Sequence, residues 1–277
     1  MQFTNTDKIW FPEAGITKGN VLEFYQSVAP LLLRHVRDRP ITLERLPDGV
    51  VPGAPRFWQK NTPSYYPSWI PRIELPTETG KIVQYTLVND RDTLLYLVNQ
   101  GAITFHVWPS RTSSLDRPDY VLFDLDPGKA KFADVVKIAA TLHKLLSRRV
   151  VDSYVKTSGK TGLHVLYPWK QTGDYDAARA WAMQIADEVV SQLPDIATTR
   201  RLKSERQGHV YVDVIQNAKG HHVVPPYVLR AVPQATVSTP LHWKELTPRL
   251  DPAKFTMRAA LRRFQQQKED LMAALVS

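Results

Sequence analysis

The segment YVLFDLDPG, residues 120–128, constrains the fold and the chemistry of this chain more than any other stretch. Its first four residues are apolar or aromatic, two aspartates follow one residue apart, and Pro127 and Gly128 supply a turn signal. A short apolar run bounded by turn residues is typical of a strand buried on both faces of a sheet. Because side chains alternate along a strand, Asp124 and Asp126 share one face.

Two carboxylates on one face of a strand repel each other unless a cation neutralises them. Mg²⁺ prefers carboxylate oxygens and commonly binds one or two of them together with substrate phosphates. The simpler alternative is that Asp126 only opens an Asp-Pro-Gly turn. A D-x-D pattern is a weak signal by itself, so the rest of the chain has to decide between these interpretations.

Composition narrows the class of protein. The chain has 277 residues, of which 43% are hydrophobic, enough for a packed core in one large domain or two closely packed modules. No apolar run reaches about 18 residues and the N-terminus lacks a signal-peptide pattern, so we expect a cytoplasmic protein without a membrane partner. The absence of cysteine excludes disulfides and thiolate metal sites. The formal charge of +9 favours a polyanionic partner such as nucleic acid.

The order of secondary-structure patterns predicts an α/β or α+β fold. A mixed sheet is favoured over a purely parallel one because tight turns join some of the strands. The predicted helices cover 18–37, 91–100, 132–147 and 175–193. The predicted strands cover 41–46, 82–88, 103–108, the Asp-rich segment, 151–157, LHVLYP and 209–216.

A third aspartate interrupts the strand pattern HVYVDVIQ. Asp213 shares its face with Tyr211 and Ile215, and an acidic group among apolar neighbours needs a partner. That partner is either an arginine from the preceding basic segment, residues 200–206, or a metal ion held jointly with the two other aspartates. Three carboxylates on adjacent strands can hold two cations that clamp the attacking and leaving oxygens of a phosphoryl transfer.

The segment SGKTG, residues 158–162, is not a P-loop. Tyr154 occupies the place of the first glycine of that motif, and a strand pattern follows instead of a helix. The segment is either a plain hairpin turn or an anion cradle to which Ser158 and Lys160 add donors. His164 and His106 lie on neighbouring predicted strands, where a single histidine is more often structural than catalytic.

The motifs FDLDPG, SGKTGLHV, VDVIQNAKG and PPYVLRA occur together and in order. In this the chain resembles the polymerase domain of bacterial ATP-dependent DNA ligase D, a member of the archaeo-eukaryotic primase superfamily, and the resemblance extends from DKIWFPEAGITKGNVLEFY through STPLHWKEL. It implies a single primase-polymerase domain over 1–277, whose catalytic core has a mixed sheet like that of RNA-recognition domains. The implied parts are an N-terminal α/β module at about 1–100, the core at about 101–245 and a C-terminal helix at about 252–275.

The resemblance also implies site residues. Asp124, Asp126 and Asp213 are expected to be the catalytic residues and to hold two Mg²⁺ or Mn²⁺ ions. The expected nucleotide contacts are His106, Ser158, His164, Arg206, Gln216, Arg230, Lys60 and Arg45. Phe57 and Trp58 resemble an aromatic pair that stacks on a nucleobase or template. Lys8 and Lys18 match residues that grip a DNA 5′-phosphate, although both could equally be ordinary surface lysines.

The function implied is template-directed nucleotidyl transfer to a primer at gaps and broken DNA ends in non-homologous end joining, with NTPs preferred over dNTPs. A monomer that works with Ku and a DNA ligase is the expected state. One alternative is a non-catalytic nucleic-acid-binding module, which would leave the three aspartates unexplained. The other is a haloacid-dehalogenase-type phosphatase, which expects Thr or Val where this chain has Gly128.

Overall fold

The structure is a computed structural model that describes residues 2–77, 79–169, 173–267 and 269–276. The helices are α1 (Lys18–Val36), α2 (Arg91–Asn99), α3 (Phe132–Arg148), α4 (Tyr175–Gln192) and α5 (Met257–Gln267). Side-chain caps start three of them, since Thr17, Asp90 and Asp174 each accept a hydrogen bond from the backbone N–H three residues on. None of the described helices is long and apolar enough to cross a membrane.

The strands form three sheets. They are β1 (Ile9–Phe11), β2 (Ile16–Thr17), β3 (Ile41–Arg45), β4 (Phe57–Gln59), β5 (Arg72–Pro76), β6 (Ile82–Thr86), β7 (Ala102–Val107), β8 (Tyr120–Asp126), β9 (Tyr154–Thr157), β10 (Leu163–Pro168), β11 (Ala197–Thr198), β12 (Val210–Asp213) and β13 (Pro240–Leu241). β1 and β2 form a small ribbon. The N-terminal sheet has the order β4-β3-β6-β5, with β7 also paired to β3. The second sheet has the order β11-β12-β8-β10-β9-β13.

The second sheet is mixed, because β11 and β12 are parallel and its other pairs are antiparallel. This confirms the predicted mixed α+β fold. β8 lies inside the sheet and carries buried apolar side chains on both of its faces. Val121, Phe123 and Leu125 pack in the core beneath α3 and α4. The intervening side chains, including Leu122, face the N-terminal sheet and the core that α1 and α2 share with it. The aspartates of β8 therefore face the space between the two sheets.

The boundary between the two sheets differs from the prediction. Residues from 101 onward were assigned to the catalytic core, but β7 pairs with β3 along its length and belongs to the N-terminal sheet. Val223 also pairs with Val107, so the chain returns to this sheet after β12. The apolar alternation of β7 fits either sheet, and only long-range pairing decides between them.

The predicted C-terminal helix at 252–275 is wrong as one continuous element. A 3₁₀ turn at Pro252–Lys254 precedes α5, and a second 3₁₀ turn at Ala273–Leu275 follows it. The carboxylate of Asp270 accepts hydrogen bonds from the Tyr227 hydroxyl at 2.7 Å and the Met272 backbone N–H at 3.0 Å, and lies 2.9 Å from His35 Nε2. These tertiary contacts turn the chain and bury Met272.

Candidate active site

The turn between β9 and β10 is built on two glycines. Gly159 has φ +72°, and a Cβ there would collide with the Arg230 side chain and the Ser238 backbone. A Cβ on Gly162 would collide with the carbonyl oxygen of Leu125. The Ser158 hydroxyl accepts hydrogen bonds from the backbone N–H groups of Lys160 and Gly162, which closes the turn against β8. These two N–H groups are thus satisfied within the turn.

A cavity of about 330 Å³ lies where this turn, the end of β8 and β12 meet the N-terminal sheet. It brings together residues that are far apart in the sequence. The predicted site residues in its lining are Asp124, Asp126, Asp213, His106, Ser158, His164, Arg206, Gln216 and Arg230. Lys160, Tyr211 and His222 line it as well.

The three aspartates form the acidic wall of this cavity. Asp124 and Asp213 are direct partners in the antiparallel register of β8 and β12, and Asp126 lies two residues further on the same face. Burial, and then the charge of Asp213, raise the pKa of Asp124 to about 7. The Asp213 carboxylate accepts a hydrogen bond from the Ile215 N–H at 2.8 Å, and the Asp126 carboxylate accepts one from the Gly128 N–H at 3.1 Å.

The donor set of this wall fits a divalent cation. Among the described residues, no group of three or more His, Cys, Asp or Glu side chains is already arranged closely enough to hold a metal ion, so the three aspartates would have to draw together around one. The nearest described cationic or imidazole group to the Asp124 carboxylate is His164 Nε2, at 3.5 Å. Lys156 and Arg230 offset only part of the effect of burial and of the neighbouring carboxylates on Asp124. An open wall of hard oxygen donors of this kind suits Mg²⁺ or Mn²⁺ that keeps water or substrate phosphate among its ligands. Asp124, Asp126 and Asp213 are the residues that could hold it.

One arginine of the basic segment reaches this wall. Arg206 donates through Nη1 to Asp126 Oδ2 at 2.9 Å and through Nη2 to the Arg201 carbonyl at 3.0 Å. Its guanidinium lies 4.0 Å from the ring centroid of Tyr211. The arginine considered above as a partner of Asp213 therefore pairs with Asp126.

Cationic groups line the other side of the cavity. Arg230 is buried and donates through Nη1 to the Ser158 carbonyl at 2.6 Å. Burial lowers the pKa of Arg230 to about 10, so this guanidinium stays charged at neutral pH. Burial and Arg230 together lower the pKa of Lys160. A cavity with carboxylates on one wall and cations on the other matches the two ends of a metal-bound triphosphate.

A buried lysine supports His164. Lys156 lies opposite His164 in the β9–β10 register, and its Nζ lies 2.9 Å from His164 Nδ1 and 2.7 Å from Ser238 Oγ. Burial lowers the pKa values of both Lys156 and His164 far below their ordinary values. An ammonium or amine that donates to Nδ1 leaves the proton of a neutral imidazole on Nε2, the nitrogen that faces Asp124.

Two predicted residues lie beside the cavity, in an adjoining cavity of about 440 Å³. Trp58 and Lys60 line it together with His106 and Gln216. Trp58 is 56% exposed, and its ring meets His106 edge-on with centroids 4.9 Å apart. Burial, and then Arg230, lower the pKa of His106 well below its ordinary value. His106 is therefore an uncharged imidazole against which the Trp58 ring packs.

Four predicted residues lie away from the cavity. Phe57 precedes Trp58 on β4 and points to the opposite face of the sheet, beside its register partner Arg45. Arg45 donates to the Gln100 carbonyl and to Gln59. Lys8 pairs with Asp48, and the buried Lys18 donates to the Thr4 carbonyl at 2.7 Å. The structure thus places Arg45 and Phe57 outside the cavity and puts Phe57 and Trp58 on opposite faces of β4. Their assignments as a nucleotide contact and as a stacking pair stay predictions.

The sequence analysis missed Lys156 as a site residue. A signal for it exists, because a hairpin symmetric about Lys160 pairs Lys156 with His164. It also missed Glu44, whose fully buried carboxylate pairs with Arg56 and lies 3.9 Å from His106 Nε2. Period-two patterning places Glu44 on a face but does not reveal that the face is covered.

Two sheets that enclose a cleft with carboxylates on adjacent strands define the primase-polymerase class of α+β proteins. The chain belongs within this class to the family described as the LigD primase-polymerase domain, whose model matches residues 17–272. This confirms the resemblance found in the motifs.

Curated relatives and a solved structure agree with this membership. The chain is 32% identical over 269 residues to the bifunctional non-homologous end joining protein LigD of Bacillus subtilis, covering 96% of this chain and 43% of the relative. It is 30% identical over 249 residues to the multifunctional non-homologous end joining protein LigD of Mycolicibacterium smegmatis, covering 89% of this chain and 32% of the relative. The chain thus spans less than half of these relatives. The polymerase domain of Mycobacterium tuberculosis ligase D, solved in complex with DNA, superposes with a TM-score of 0.93 at 29% identity, over 100% of this chain and 98% of that one.

Proposed function

We propose that this chain adds nucleotides to the 3′-hydroxyl of a DNA primer opposite a template, at gaps and broken ends joined by non-homologous end joining. The observation that carries the proposal is the cavity between the sheets, where Asp124, Asp126 and Asp213 face Lys160 and Arg230. Family membership and the DNA-bound relative support the same reaction. A phosphatase is disfavoured because its family is not the one matched.

Each wall has a separate task in this mechanism. Two divalent cations held by the three aspartates would activate the primer hydroxyl and neutralise the triphosphate. Arg230 and Lys160 provide fixed positive charge for the leaving pyrophosphate, and the buried guanidinium of Arg230 is held in place by Ser158. His164 offers its Nε2 proton as a further donor. Because the reacting atoms are charged phosphates, positioning and charge neutralisation supply most of the catalysis.

Trp58 has the role of a stacking surface in this proposal. Its exposed ring borders the cavity through His106 and Gln216, where the base of a bound nucleotide or its template partner would lie. Lys60 lines the same cavity and would contact a nearby phosphate. Lys8 and Lys18 remain proposed contacts of a downstream 5′-phosphate. A preference for NTPs, recruitment by Ku, cooperation with a DNA ligase, the monomeric state and a cytoplasmic location all stay predictions.

The test is extension of a labelled primer across a short gap with a downstream 5′-phosphate, with Mg²⁺ or Mn²⁺ and with NTPs or dNTPs in separate lanes. Templated extension by the wild type that disappears in Asp124→Asn/Asp126→Asn would support the proposal and report the sugar preference. Asp152→Asn is the matched control, because Asp152 is exposed and lies on the far side of the second sheet. It lines a separate cavity there together with Trp243.

DNA binding measured on the same variants separates the proposal from its rival. A polymerase loses extension in the double variant but keeps DNA binding. A non-catalytic module shows no extension in any lane, and it binds DNA more tightly when the two carboxylates are removed because they repel phosphates.

A further inference from the structure

The basic segment that precedes β12 forms a second cavity, of about 460 Å³, together with the loop that follows β8. We call it the basic cavity. Its lining comprises Lys129, Lys203, Arg206 and His209 with Asp126, Gly128, Ser204, Gln207 and Gly208. Asp126 and Arg206 also line the candidate active site, so the ion pair between them separates the two cavities. The functional assignments above do not use the rest of this segment.

The net charge of the basic cavity is positive. Lys129 and Lys203 are exposed, and in the part of the chain that the structure describes neither has a carboxylate within ion-pairing distance. The charge of Asp126 is already paired with Arg206, and Glu205 faces Arg200 at 3.6 Å. The two lysines therefore present unneutralised ammonium groups beside the active site, as a phosphate-binding surface does.

The shape of the basic cavity leaves room for a backbone. Gly128 and Gly208 have φ values of +52° and +82°, and no heavy atom lies within 4 Å of where their Cβ atoms would be. A 3₁₀ turn at Lys203–Glu205 and a turn at Gln207, which has φ +49°, shape the other side of the cavity. The cavity reaches Asp126, which is part of its lining.

We propose that the basic cavity binds the phosphodiester backbone of the primer strand and delivers its 3′-hydroxyl to Asp126. The inference rests on the proposed function and identifies where one of its substrates enters. In-line transfer requires the attacking oxygen and the leaving pyrophosphate on opposite sides of the α-phosphate. Arg230 and Ser158 lie on the β9–β10 side of the acidic wall, and the basic cavity lies on its β12 side. The two substrates therefore approach the aspartates from opposite directions.

The experiment compares Lys129→Ala/Lys203→Ala with a matched control, Lys137→Ala/Lys144→Ala, on the exposed side of α3 behind the second sheet. Fluorescence anisotropy without nucleotide measures binding of two DNAs. One is a template annealed to a recessed primer, and the other is the same template annealed only to a downstream 5′-phosphorylated strand. Thermal melting confirms that each variant is folded.

The proposal expects the double variant to bind the primer–template about 10- to 30-fold more weakly near 0.15 M salt. It also expects the slope of log K against log salt to fall in magnitude by about 2, one unit per lost phosphate contact. Binding of the downstream duplex, the KM for the nucleotide and all properties of the control variant are expected to stay within twofold of wild type.

Three results would overturn the proposal. Equal weakening of both DNAs would assign the basic cavity to the template or the downstream strand. A raised KM for the nucleotide with unchanged primer binding would make it a triphosphate site. Unchanged binding of both DNAs and an unchanged KM for the nucleotide would show that the basic cavity binds no DNA strand. Because binding is measured without nucleotide, a wild type that binds primer–template but never extends it contradicts the proposed function and leaves this comparison readable.

Discussion

The substitution Asp124→Asn is expected to stabilise the metal-free protein while it abolishes the activity. Asp124 and Asp213 are direct cross-strand partners, a position in which side chains lie about 5 Å apart. Two unit charges at that distance repel by about 3 kcal/mol at an effective dielectric constant near 20. The Asp124 side chain is 32% exposed to the cavity, and solvent screening reduces the gain to about 1–2 kcal/mol.

The stabilisation expected from Asp124→Asn increases as the pH rises. The pKa of Asp124 is raised to about 7 in the folded state from an ordinary value of 3.8. The folded protein therefore binds more protons than the unfolded chain between these values, and its stability falls as the pH rises through that window. Asparagine does not titrate, so the difference in Tm between the variant and the wild type is expected to be largest at pH 8 and to vanish near pH 4.

The assay is thermal unfolding in EDTA at several pH values, with and without Mn²⁺. We expect Tm of the variant to rise by about 2–4 °C for each kcal/mol at pH 8. Mn²⁺ should raise Tm of the wild type and leave that of the variant unchanged or nearly so. Two results would refute the assignment of Asp124 as a destabilising carboxylate and metal ligand. One is a variant with a lower Tm than the wild type in EDTA at pH 8, and the other is a variant whose Tm rises with Mn²⁺ as much as that of the wild type. Asp152→Asn, on the far side of the sheet, is expected to shift stability by less than about 0.5 kcal/mol.

Three further predictions follow from the same cavity. Metal-induced stabilisation of the wild type should be larger at pH 8 than at pH 6, because protons compete with the cation for Asp124 below its pKa of about 7; equal shifts at both values would contradict this. Lys156→Met should lower kcat about 10- to 100-fold with little change in DNA affinity and should move the ¹⁵N imidazole signals of His164 away from the Nε2-protonated tautomer; unchanged signals would refute the role given to Lys156. Trp58→Ala should weaken binding of nucleotide or template by about 1–3 kcal/mol, whereas Phe57→Ala should have a much smaller effect because its side chain lies on the opposite face of β4; equal effects would contradict this.

The sequence alone determined the features that depend on local periodicity. Alternation along a strand requires the aspartates of FDLD to share a face, and the same rule places Asp213 opposite the valines of its strand. The apolar spacing located α1 to α4 to within a few residues. These patterns are local because the geometry of one strand or helix decides them.

The tertiary structure decided which faces meet. β7 could have joined either sheet, and Arg206 could have reached Asp213 as well as Asp126. Lys156 became part of the site only when the hairpin turned it toward His164 and the strand ending at Leu241 covered it. Strand order and register join residues far apart in the chain, and the free energy that selects them comes from burial over the whole core, which no local pattern contains.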